Sequence, residues 1–132
     1  MIRITFRRGL HHWDHFRCSG HSGYAAAGND IICAGISAVV QTALQAVLAI
    51  SEGVPVYKIS DGLLECSLVK EVSDATELQV QSVIDAAFLG CVSLAQQYPR
   101  YIRLNVEGLT GWEQAVKEPD ALRHLIQLIK KA

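Results

Sequence analysis

Between Ile31 and Ile50 the chain runs for twenty residues without one charged side chain. A stretch of that kind ends either in a bilayer, whose hydrocarbon takes about 20 apolar residues to cross, or in a protein core. Gly35, Ser37, Gln41, Thr42 and Gln45 interrupt it, and its alanines and glycines leave it weakly hydrophobic. It reads as a core helix, with no membrane contact. The rest of the fold must therefore supply a layer that covers it.

Period-two segments provide that layer. Ile2, Ile4 and Phe6 alternate with Arg3, Thr5 and Arg7, and Trp13 to Cys18 returns as a second strand after a His-rich turn. Val54 to Ser60 and Leu63 to Lys70 flank Asp61-Gly62, a strong hairpin signal, with Leu64, Cys66 and Leu68 on the inner face. Ile102, Leu104 and Val106 form a last alternating strand. Asn29 or Asp30 caps the first helix, which is expected to run to about Glu52. A second helix opens at Asp74-Ala75-Thr76-Glu77, close to a capping box, and stops before Pro99. Glu118-Pro119-Asp120 introduces a C-terminal helix with Leu122, Leu125, Ile126 and Ile129 on one side.

The order ββαββαβ, plus that helix, predicts an α+β fold: a mostly antiparallel sheet with two main helices on one face. The sheet's other face is open to solvent or to a second subunit. With 132 residues and half of them hydrophobic, the chain is one domain with a sizeable core. Residues 107–132 form a C-terminal extension of it. Twelve Lys+Arg against thirteen Asp+Glu argue against nucleic acid as the main ligand. MIRITFRR lacks the apolar run of a secretory signal, and Cys18, Cys33, Cys66 and Cys91 lack CxxC spacing, so reduced cysteines in the cytoplasm are expected.

The segment between the second strand and the first helix carries the chemistry. Gly20, Gly23 and Gly28 make Ser19 to Asp30 a permissive loop. His21 stands at its entry, and Cys33 falls in the first turn of the helix that follows. Free N–H groups and the positive dipole end there favour a thiolate and suit an acyl oxyanion. A strand-end His and a helix-start Cys make an economical base and nucleophile. On residue pattern alone, a cysteine on an apolar helix reads equally as core. His11, His12, Asp14 and His15 invite a metal, but their spacing does not converge, and a solvated hairpin turn around Trp13 is the simpler reading. Cys18, Cys66 and Cys91 read as core, and Trp112 with the terminal helix as packing or a dimer edge.

The strings GHSGYA and GNDIICAGIS, over residues 20–37, resemble the ribosomal-processing cysteine protease family (Prp), whose pattern is roughly G-H-[AS]-G-Y-A followed by G-x-D-[IV]-[IV]-C-A-[AG]-[IVL]-S. Ser22 and Gly35 stand where Ala is common. The resemblance implies a cysteine endopeptidase with Cys33 as nucleophile and His21 as base, working without metal or organic cofactor. It implies a homodimer that removes the N-terminal extension of large-subunit ribosomal protein twenty-seven, cutting after an apolar or aromatic residue and so supporting ribosome assembly. Asp30 matches the family's acidic position and either orients His21 or caps the helix; an orienting role is the expectation, with Asn29 as cap. Ser37 matches its serine, touching the thiol or bonding the carbonyl of Cys33. Ser22 to Asn29, with Gly20 at its entry and Gly23, Tyr24 and Gly28 within it, is expected to act as a lid over Cys33. Two rival readings are a non-catalytic dimeric adaptor for a ribosomal protein tail and another thiol acyl hydrolase.

Overall fold

A computed structural model describes residues 1–26 and 28–132. Five strands form one mixed sheet: β1 (Ile2–Arg8), β2 (Trp13–Gly20), β3 (Val56–Ser60), β4 (Leu63–Ser67) and β5 (Ile102–Glu107). Their spatial order is β3-β4-β2-β1-β5. Three of the four pairings are antiparallel, and only β5 lies parallel to β1, with Ile2 opposite Ile102 and Phe6 opposite Val106. That placement requires a crossover, which helix α2 (Asp74–Gln97) supplies.

Helices α1 (Ile31–Ile50) and α2 pack on one face of the sheet, against Ile2, Ile4, Phe6, Phe16 and Cys66. The apolar α1 buries Ile32, Ile36, Val40, Ala43, Leu44 and Val47 and leaves its outer side, including Ala34 and Ala38, exposed. It is covered on one face only. The opposite face of the sheet is polar, with Arg7 paired to Asp14 at 2.7 Å and Arg17 to Glu65 at 3.0 Å.

Several boundaries differ from expectation for local reasons. Ser73, not Asp74, caps α2 by accepting from the Thr76 N–H at 3.3 Å, while Glu77 reaches back to the Glu71 N–H at 2.7 Å. The first helix ends at Ile50, and the buried Glu71 carboxylate accepts from the Glu52 N–H just beyond it. Trp13 is no part of a solvated turn. It is fully buried, its indole N–H donates to Asp85 at 2.7 Å, and the Gln81 carboxamide brackets its backbone N–H and C=O at 2.6 and 3.0 Å. Beyond β5, a short α3 (Trp112–Ala115) precedes α4 (Ala121–Lys131), which buries Leu125 and Ile129. Leu122 points outward, and Leu128 packs in its stead, because the inward stripe of this short helix is set by Leu125.

Candidate active site

The β2 strand ends where the loop begins, and its last residue is held to the β3–β4 hairpin tip: the Gly20 N–H donates to the Gly62 carbonyl at 2.8 Å. Gly20 has φ +87°, and a β-carbon there would run into the Met1 carbonyl, so the close approach of β1 leaves room for glycine only. His21 follows directly. Its side chain is 65% exposed, with Nε2 lying 3.9 Å from Asp61 Oδ1. The ring rests on Gly62, where a β-carbon would come within 2.9 Å of Nε2.

Ser22 turns inward and is buried. Its N–H donates to Cys33 Sγ at 3.2 Å, its hydroxyl donates to Asp30 Oδ2, and its oxygen accepts from the Tyr24 N–H at 3.0 Å. Asp30 is the N-cap of α1, with Oδ1 accepting from the Ile32 and Cys33 N–H groups at 3.1 and 3.0 Å. These bonds, led by the Ser22 hydroxyl and the Cys33 N–H, hold the Asp30 carboxyl down to about 2. Both of its oxygens are thereby engaged in the loop and the helix start. The expected contact with His21 is replaced by these, because the cap geometry turns the carboxylate toward α1. The same bonds occupy the Ile32 and Cys33 N–H groups, so in this arrangement they are not free for an oxyanion.

Cys33 is half-buried and borders two recesses. One, of about 250 Å³, lies between α1 and the β3–β4 hairpin and is lined by Cys18, Gly20, His21, Cys33, Ser37 and Ile59, among others. The second opens on the loop side and brings His21, Cys33 and Ser37 together with Gly23, Gly28, Asp30 and Asp61. His21, Cys33, Ser37 and Asp61 thus border both recesses. Among the described residues no hydrogen bond joins the His21 ring to the Cys33 thiol. Tyr24 lies outside both recesses and meets Tyr101 edge-on at 5.4 Å between centroids, which pins the first half of the loop; Ala27, inside the expected lid, is outside the described residues.

All four cysteines are free. Burial pushes the Cys18 thiol up to about 11, Cys66 to about 11 and Cys91 to about 12. The three histidines of the first hairpin diverge: His11 faces the Ala132 carbonyl, His12 the Leu10 carbonyl and His15 the Ser67 hydroxyl. Asp61 is the residue that sequence reasoning missed. Asp61-Gly62 signals a hairpin, and nothing local says that its tip meets the end of β2.

Set against known proteins, residues 1–103 match the family model for the cysteine protease Prp. The ribosomal processing cysteine protease Prp of Bacillus subtilis (strain 168) is 25% identical over 107 residues, covering 79% of this chain and 96% of that protein. Among solved structures, the essential ribosomal processing protease Prp from S. aureus, in complex with a covalently linked product peptide, superposes with a TM-score of 0.71 at 23% identity, over 81% of this chain and 100% of that one. SMU.848 from Streptococcus mutans gives 0.68 at 24% identity, over 81% and 94%. These structural likenesses show the fold.

Proposed function

The chain belongs to the Prp family of cysteine proteases, and from that premise we propose that it is an endopeptidase that removes an N-terminal extension from large-subunit ribosomal protein twenty-seven. The observation that carries the reading is the convergence of Cys33 and His21, from a helix start and a strand end, on the same two recesses. The name of the B. subtilis relative, a ribosomal processing protease, supports the substrate class.

In this mechanism His21 takes the proton of Cys33, and the sulfur attacks the peptide carbonyl that follows an apolar or aromatic side chain. His21, now charged, protonates the leaving amine, and water then cleaves the thioester to free the acid and restore the thiol. The Ser22 N–H fixes the sulfur on the loop side. Asp30 acts as a positioning residue through Ser22 and the helix start, and Asp61 faces the outer edge of the imidazole. Ser37 stands one helical turn after Cys33 on the cavity wall. In this reading residues 22–26 and 28–29 act as a lid whose opening exchanges the Ser22–Cys33 contact for substrate and widens the access that the recesses already give to the sulfur. A cytoplasmic homodimer completes the proposal, with the four free cysteines supporting the compartment.

The test is mass spectrometry of a peptide spanning the extension junction, incubated with the protein and with Cys33→Ala. A single cut after the aromatic residue, absent in the variant, is the expected result. A peptide bound by both proteins but left whole would make the chain an adaptor. Turnover of small esters without peptide cleavage would make it a different thiol hydrolase.

A further inference from the structure

The tip of the β3–β4 hairpin consists of Asp61 and Gly62, and both residues meet the His21 ring. A β-carbon at Gly62 would lie 2.9 Å from Nε2 and 3.5 Å from Cδ2 and from Cε1. Those three atoms are the far corner of the imidazole. The ring therefore sets Nε2 onto the tip and turns Nδ1 away from it. Asp61 Oδ1 stands 3.9 Å from the same Nε2. The tip is tied to the histidine through the backbone, because the Gly20 N–H, one residue before His21, donates to the Gly62 carbonyl at 2.8 Å.

The other titratable groups around the ring leave Asp61 as its partner. The Met1 ammonium donates to the His21 carbonyl, not to the ring. Asp30 borders the loop-side recess, but the Ser22 hydroxyl and the Ile32 and Cys33 N–H groups engage its oxygens. Cys18 and Cys33 face the hairpin-side recess with thiols. Among the described residues Asp61 enters no other ion pair, and its carboxylate is fully exposed. In open water such a contact holds a ring weakly. Asp61 and His21 border both recesses, however, so a peptide lying across Cys33 covers the pair. Excluding water strengthens the attraction, and catalytic hydrogen bonds that are long in a free enzyme shorten in its substrate complex.

We propose that Asp61 is the positioning residue of the site: with peptide bound it accepts a hydrogen bond from Nε2–H, and Nδ1 is the nitrogen that serves Cys33. The proposal rests on the peptidase reading above and names the group that orients its base. Nδ1 takes the thiol proton as the S–C bond forms. The ring then carries two N–H groups, and the Asp61 carboxylate faces the new positive charge. The Nδ1 proton passes to the leaving amine as the C–N bond breaks, and Nε2 keeps its proton throughout.

Nitrogen-15 NMR of the histidine ring tests this in the Cys33→Ala protein with the junction peptide bound. At about pH 9, where an imidazole is neutral, His21 should be protonated at Nε2 alone, with that proton visible and slow to exchange. Adding Asp61→Ala should remove the protected proton, whereas Asp61→Asn, whose amide oxygen still accepts, should retain it. In the active enzyme Asp61→Ala should lower kcat about 10-fold with KM within about twofold, the loss of one hydrogen bond to a charged group. Asp61→Asn should recover most of that kcat. A ring protonated at Nδ1, or an Nε2 proton equally protected without Asp61, overturns the proposal. So does a kcat that Asp61→Ala leaves unchanged. If the unaltered protein does not cut the peptide, the peptidase reading fails on its own. The ring spectrum then decides the positioning role: an Nε2 proton that depends on Asp61 upholds it, and an Nδ1-protonated ring or no bound peptide overturns it.

Discussion

Cys33 differs from its three fellow cysteines in what surrounds the sulfur. Cys18, Cys66 and Cys91 sit among apolar groups that disfavour a charged sulfur and hold their thiols protonated well above neutrality. Cys33 instead receives the Ser22 N–H and borders open recesses. Brief iodoacetamide treatment at pH 7.5 is therefore expected to label Cys33 and leave the others unmodified, read by peptide mass spectrometry. Equal labelling of Cys18, which lines the same recess, would contradict this. At the same scale, His21 and Cys33 are legible in the sequence because glycines and a helix start mark their places. Asp61 is not, because its meeting with His21 depends on a hairpin tip forty residues further along the chain.

The loop and helix α1 form one element through Asp30. One carboxylate caps the helix and ties down Ser22, so its charge and the order of the loop are coupled. The folded carboxyl lies near 2, below the ordinary value of about 3.9, so the charged form is favoured by folding. The contribution is complete above about pH 4 and disappears as the pH falls through the folded value near 2. A carbon-13 titration of the Asp30 carboxyl should give a midpoint near 2, and Ser22→Ala should raise it toward the ordinary value. A midpoint near 4 in the native protein would rule out the tie. The sequence offered Asn29 and Asp30 as caps on equal chemistry; Asp30 takes the position because Ser22, fixed by the Gly20 turn, meets its second oxygen.

Across the whole molecule the site and the C-terminal helices occupy opposite ends of the sheet. Gly20 and His21 close one end beside Met1, whereas Gly108 packs on Arg8 and His11 faces Ala132 at the other. Helix α4 nonetheless contributes Leu125 and Ile129 to the common core. Ending the chain at Gly108 should thus lower stability by several kcal/mol, from about 1.5–3 kcal/mol for each large apolar side chain removed or uncovered. Peptide turnover by the folded fraction should stay within about twofold, a change too small to count as loss of transition-state stabilisation. Urea melts and single-temperature kinetics on the shortened chain check both; a folded but inactive product would place the extension in the site.

What the residues determined alone are the local properties. Period-two runs, the Asp61-Gly62 turn and an uncharged apolar stretch select strands, hairpin and helix through backbone sterics and the burial of one face, forces that act within a few residues. The expected order, the two-helix layer and the pairing of most strands follow from them. Only the tertiary structure decided which surfaces meet: β5 parallel beside β1, Trp13 closed under Gln81 and Asp85 of α2, and the tip of the β3–β4 hairpin held against the end of β2. Those outcomes depend on which distant groups exclude water from one another and satisfy each other's hydrogen bonds, and that choice is made by the assembled layers together.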